Sequence, residues 1–261
     1  MPAVSPARLA REVESVASAF GDAVALRRGV MQLLESYRSR VRPSSKSAKP
    51  SDALGSLDVP QPVLQSLGQR LLQEGRRDET AAFAAAEALW DSGQRETRML
   101  AAWILGEQTG ADVPARVERW ARATTDSLAV ADLARLSFHA WRRADPAEFT
   151  SLVGQWLGGA DRLRRNLALH ALHAAVTDPS FQALQDVFHR MEGATSKVTR
   201  DMRRPLTHLL KALAQRSPME ATRYLLDEHR RGGRDAAEVV RGVLDAFPPR
   251  QRELLLAALS R

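Results

Sequence analysis

The chain of 261 residues contains no cysteine. That excludes a disulfide framework, a thiolate zinc site and a cysteine nucleophile. Lysine is almost as scarce. Lys46, Lys49, Lys197 and Lys211 are the only four among 38 basic residues, and the rest are arginine. Aromatic residues make up 5% of the chain and runs of β-branched residues are missing, while Ala and Leu dominate, which favours helix. No stretch approaches 18 apolar residues, so no membrane-spanning helix is expected. The opening MPAVSPARLAREVESV lacks a hydrophobic signal core, and a soluble, intracellular protein is expected. The P-loop, GxGxxG, GxSxG and HExxH motifs are all absent. His170 and His173 lie three apart on one stretch, but no convincing third ligand accompanies them, so no metal is expected.

What is present is helical periodicity. Residues 6–20 place Leu9, Val13, Val16, Ala17 and Phe20 on one face, and residues 24–41 repeat the pattern with Val30, Leu33, Leu34 and Tyr37. Residues 42–59 break it with Pro43, Pro50, several serines and Gly55, which reads as a loop. Arg38 to Lys49 holds five bases and no acid, so this loop is either a solvated connector or a segment that touches phosphate.

After Pro60 a repeat emerges. Proline recurs at Pro114, Pro146, Pro179 and Pro218, at spacings of 32, 33 and 39, each expected to open a helix from a polar lead-in. FPPRQRELLLAAL (247–259), at Pro248, suggests a fifth copy. Second helices are expected over 126–143, 161–176, 195–216 and 235–247, with Pro205 kinking or restarting the third. Two antiparallel helices per repeat is the signature of an α-solenoid, because neither helix buries its apolar stripe alone. The expected fold is therefore all-α: a right-handed solenoid of HEAT-like antiparallel helix pairs. It is expected as one domain over 1–261, with N-terminal helices in 1–41, the basic loop in 42–59 and helical repeats in 60–261.

The net charge of +7 is unevenly placed. Residues 76–137 carry eight Arg against ten acids. Residues 190–216 carry Arg190, Lys197, Arg200, Arg203, Arg204, Lys211 and Arg216 against Glu192 and Asp201. Arg162, Arg164 and Arg165 add to these bases. In a curved solenoid the second helices line the concave face, which would gather the clusters into a basic groove that neutralises phosphates. Ordinary solvated helix surface is the alternative.

Asp132 sits among Leu128, Val130, Ala131, Leu133, Ala134, Leu136 and Phe138. A carboxylate there is costly to bury unless paired. It is either paired with an arginine such as Arg165 or held opposite a developing positive charge. The five tryptophans fall mostly on apolar stripes and read as core.

Three stretches together resemble the bacterial DNA alkylation repair family of AlkD-like glycosylases, which are built from HEAT-like repeats. ALWDSGQRETRMLAAWILGE (88–107) is similar to a segment that pairs Glu–x–Arg with an Ala/Leu-rich helix. TTDSLAVADLARLSF (124–138) is similar to the stretch ending in the family's catalytic Asp. DRLRRNLALHAL (161–172) and RPLTHLLKALAQRSP (204–218) resemble its paired-Arg helix and late helix. The resemblance implies duplex DNA as partner and a monomer acting without metal or cofactor. It implies excision of cationic N3- or N7-alkylated purines in a cytoplasmic, nucleoid-associated setting. Asp132 would then be catalytic, and Arg165 or Arg164 would hold the DNA backbone; the basic groove read from charge placement adds Lys197, Arg200, Arg203, Arg204 and His208 as DNA contacts. Aromatic residues that the family carries correspond to Leu128, Leu163 and His208 in this chain. A DNA-binding homologue without catalysis, and a protein-interaction scaffold, are the alternative readings.

Overall fold

The computed structural model describes residues 5–38, 55–195 and 199–260, so Lys197 and most of the expected basic loop (residues 39–54) lie outside the described residues. The described residues form helices joined by turns, with no strand among them. None of these helices is long and apolar enough to cross a membrane. The chain divides into two compact units between Trp141 and Arg142.

The first unit holds α1 (Pro6–Ala17), α2 (Ala23–Ser36), α3 (Gln61–Gly75), α4 (Glu79–Trp90), α5 (Arg95–Leu105), α6 (Asp112–Arg122) and α7 (Ser127–Leu136). The short α8 (His139–Ala144) spans the division. Sequence neighbours pack in pairs, such as α1 with α2, α4 with α5 and α6 with α7, and the stack continues through helices two apart. α1 lies on α3, α3 on α5 and α5 on α7, while α2 lies on α4. α4 meets α6 through Trp90 and Trp120, stacked at 4.7 Å. The second unit holds α9 (Pro146–Gly158), α10 (Arg162–Thr177), α11 (Leu184–Arg190), α12 (Arg203–Arg216), α13 (Pro218–Arg231), α14 (Gly233–Arg241), a 3-10 turn (Leu244–Ala246) and α15 (Pro249–Leu259). Here α9 packs on α11, α10 on α12 and α13 on α15. This stacking is consistent with an α-solenoid.

The repeat length is written into the side-chain hydrogen bonds. Trp120 Nε1 donates to Glu87, 33 residues back, at 2.9 Å. Gln108 reaches the Gly75 carbonyl 33 residues away at 3.1 Å, and Tyr224 the Met191 carbonyl 33 away at 2.9 Å. Lys211 meets Asp245, 34 residues on, at 2.7 Å. The proline spacings of 32 and 33 thus match the register in which successive pairs stack. The apolar stripes close the core: Trp90, Trp120, Trp141 and Trp156 are buried, and Trp103 is half-buried.

Helix starts follow the expected signals where the signal is local. Asp145 caps α9 by accepting the Glu148 N–H at 2.8 Å, with Pro146 at the first position. Pro218 opens α13, Pro249 opens α15, and Pro205 sits in the first turn of a helix restarted at Arg203.

Five expectations need correction. Pro114 is the third residue of α6 rather than its first. Pro179 opens a turn, in which the Asp178 carboxylate accepts the Ser180 N–H at 2.9 Å and its hydroxyl at 2.7 Å. Arg216 completes that turn, donating to the carbonyls of Val176, Asp178 and Phe181 at 2.9, 2.8 and 2.9 Å. Those carbonyls are held from a distant helix, so the segment has no need of helical partners. The described residues between 195 and 203 are not α-helical, so the third second-helix is shorter than expected. The fourth, expected over 235–247, is split into α14 and the 3-10 turn.

The helix expected over 126–143 breaks at Ser137 and Phe138, for a reason lodged at Gly106. The Ala140 N–H donates to the Gly106 carbonyl at 2.7 Å. A Cβ added at Gly106 would lie 2.1 Å from the Leu136 carbonyl oxygen. Backbone meets backbone here, so neither side can yield by changing a rotamer. Gly106→Ala is expected to cost about 1–3 kcal/mol, lowering Tm by roughly 2–4 °C per kcal/mol in a chain of this size. Thermal melting checks it, and an unchanged Tm would show that the corner is loose.

Candidate functional site

In the first unit the candidate site is one face of α7. Asp126 starts the helix, its carboxylate accepting the Leu128 N–H at 2.8 Å. Val130, Leu133 and Ala134 turn inward. Leu128, Asp132 and Arg135 follow one another at helical spacing on the opposite side. Leu128, counted with the apolar stripe in the sequence, is 54% exposed and belongs to this outer face.

Asp132 is half-buried, and Arg135 donates to its Oδ1 at 3.0 Å. Burial pushes the Asp132 carboxyl above its ordinary range. The positive charges of Arg135 and Arg95 pull it back down, and the negative charge of Asp126 pushes it up. The sequence held the cue to this arginine: Arg135 lies three residues on, within one helical turn.

Glu96 belongs to the Glu–x–Arg segment but serves a structural end. It is buried and accepts the N–H groups of Leu57 and Asp58 and the Ser56 hydroxyl, at 2.8 to 3.2 Å. The carboxylate therefore holds the strand of chain entering α3. Nothing in its spacing announces this, because its partners lie about forty residues earlier.

In the second unit the expected DNA-contacting residues sit on α10, on α12 and on the segment leading into α12. Asp161 caps α10, accepting the N–H groups of Leu163 and Arg164 at 2.9 and 3.2 Å. Arg164 is exposed and Arg165 half-buried. Arg200, Arg204 and His208 are exposed, and the His208 ring lies 6.0 Å from that of His173. His208 is thus a ring neighbour of one of the two histidines weighed as metal ligands. No group of three or more His, Asp or Glu among the described residues is arranged to hold a metal.

Several of the bases are spoken for. Arg162 is paired with Asp201 at 2.7 Å, Lys211 with Asp245 at 2.7 Å, and Arg203 with Glu238. These pairs link neighbouring repeats. Arg216, counted among the basic cluster in the sequence, is the carbonyl clamp described above. Arg200 and Arg204 make no ion pair among the described residues, which leaves them as exposed cations at the start of α12.

Helices stacked in pairs, with a half-buried carboxylate on α7 in one unit and exposed arginines near α12 in the other, make this an all-helical protein consistent with an α-solenoid. Residues 31–237 match the family model described as DNA alkylation repair enzyme, and the chain belongs to that family. No curated protein and no solved structure gives a match.

Proposed function

We propose that the protein is a DNA glycosylase that hydrolyses the N-glycosidic bond of cationic N3- or N7-alkylated purines in duplex DNA. The observation that carries this reading is Asp132, a half-buried carboxylate on an outward helix face within the family match. An alkylated purine already bears positive charge. When the bond from C1′ to the base nitrogen breaks, its electron pair leaves with the base, which departs neutral, and the sugar becomes oxocarbenium-like. The Asp132 carboxylate stabilises that positive charge. Water then adds to C1′ and releases a proton to the carboxylate or to solvent. No cofactor enters this sequence, because the alkyl group has already activated the leaving base.

In the same proposal Arg164, Arg165, Lys197, Arg200, Arg203, Arg204 and His208 contact the DNA backbone, and the right-handed HEAT-like arrangement with a concave basic groove accommodates the duplex. The test is incubation of excess protein with duplex DNA containing 7-methylguanine or 3-methyladenine. Release of the free base supports the reading. Absence of release under enzyme excess rejects it.

A second reading, duplex binding without catalysis, is favoured by exposed Leu128 standing where the family resemblance implies an aromatic residue. Salt-dependent duplex binding with no base release selects it, and absence of duplex binding at low salt selects a protein scaffold instead.

The two kinds of arginine separate in a salt titration. Arg204→Ala is expected to weaken duplex binding and reduce the slope of log K against log salt by about 0.9, one phosphate contact. Arg216→Ala is expected to leave the slope unchanged and to lower stability, because it frees three carbonyls rather than a phosphate. Equal slopes for Arg204→Ala and the native protein would remove Arg204 from the DNA surface.

A further inference from the structure

Residues 123–126 connect α6 to α7 and lead directly into the helix that carries Asp132. The Thr124 hydroxyl oxygen accepts two hydrogen bonds there, from the Asp126 N–H at 3.2 Å and from the Arg98 guanidinium at 3.2 Å. Asp126 in turn caps α7. Arg98 is itself held from behind. Its guanidinium lies 4.7 Å from the centre of the Trp90 ring, Trp90 stacks on Trp120 with the planes 6° apart, and Trp120 is tied to Glu87.

The arrangement is expensive for a packing contact. Arg98 Nε is buried with no hydrogen-bond partner among the described residues, and an orphaned buried donor calls for an explanation. Burial disfavours the charge, while Asp126 and Asp91 support it. An apolar side chain would cover Trp90 without that penalty. What the guanidinium adds is a fixed donor aimed at Thr124.

We propose that Arg98 is a positioning residue for Asp132: anchored on the Trp90–Trp120 stack, it fixes the Thr124 hydroxyl and thereby the capped start of α7. This rests on the reading of Asp132 as the reacting carboxylate. Reacting groups have to be held to about half an ångström, and an uncapped first turn frays over the residues that carry Leu128 and bring Asp132 into place.

The test uses Thr124→Val, which removes the hydroxyl at nearly constant volume, Thr124→Ser, which keeps it, and Arg98→Met as a second route. Two readouts are followed: base release and the pH titration of the Asp132 carboxyl by carbon NMR. Thr124→Val is expected to lower kcat about tenfold with KM changed less than twofold. It is also expected to move the Asp132 titration toward that of an exposed carboxyl, and Thr124→Ser to restore both. An Asp132 titration unchanged by Thr124→Val overturns the inference, as does an equal effect of Thr124→Ser. If the native protein releases no base, the proposed reaction falls, and the titration series still decides the positioning role.

Discussion

Asp132→Asn is expected to reduce base release by about 10²–10³-fold, the loss typical when one preorganised electrostatic group is removed from a developing charge. Asn keeps the shape and one acceptor oxygen but cannot oppose a cationic sugar. Duplex affinity is expected not to fall, because the carboxylate repels rather than attracts phosphate. The native rate is expected to fall as pH is lowered, since in the proposed reaction the ionised form is the one that acts. Its midpoint lies above that of an exposed aspartate, because burial raises the Asp132 carboxyl. Arg135 and Arg95 limit that rise.

The stability consequence has the opposite sense. A carboxyl raised on folding stabilises the native state at low pH, and that contribution is lost as pH rises through its folded value. At neutral pH the native protein therefore bears the cost of an ionised, half-buried group. Arg135, left behind in the variant, is 47% exposed at its side chain and stays solvated. Asp132→Asn is thus expected to melt no lower than the native protein at pH 7.5. Calorimetry beside a base-release assay checks both halves. A fall in Tm together with lost activity would mean that Asp132 holds the fold rather than the reaction.

Glu228→Ala carries the largest expected loss of stability. The side chain is 1% exposed. Its oxygens accept the Gly193 N–H at 2.8 Å, the Thr195 N–H at 3.2 Å and the Thr195 hydroxyl at 2.6 Å. Arg231 adds a fourth contact at 3.1 Å. The loop they hold turns through Gly193 at a φ of +74°, a conformation that side-chain-bearing residues avoid. Removing the carboxylate leaves buried donors without partners in a place where water replaces them poorly, and about 3–5 kcal/mol is expected to be lost. Asp227→Ala, one residue away, removes only the exposed pair with Arg230 and is expected to cost under about 1 kcal/mol. Denaturant midpoints for the two variants make the comparison, and similar values would show that Glu228 is replaceable.

How much of this was legible in the sequence depends on distance along the chain. The capped start at Asp145–Pro146 and the proline start of α13 at Pro218 were readable, because the signal and its effect lie within one turn. The turn after Pro179 was not, because Arg216 takes its carbonyls from 35 to 40 residues away. The charge of residues 190–216 was readable as a sum. Its effective value was not, since Glu238 and Asp245 in the following repeat engage Arg203 and Lys211. Leu128 illustrates the same limit. Periodicity grouped it with the core stripe, yet the packing of α7 on α5 turns it outward beside Asp132.

The sequence by itself determined that this cysteine-free, arginine-rich chain is helical, because apolar spacing and proline starts such as Pro146 and Pro218 act locally. It also carried the family resemblance, which the family-model match over residues 31–237 bears out. Tertiary structure alone decided which arginines remain exposed and which are clamps or rungs between repeats. It also decided that the buried glutamates hold loops, and that Arg98 reaches the start of the helix bearing Asp132. The physical reason is common to all three: a charged group takes its role from the partner that packing brings to it, and those partners lie about 26 to 40 residues away along the chain.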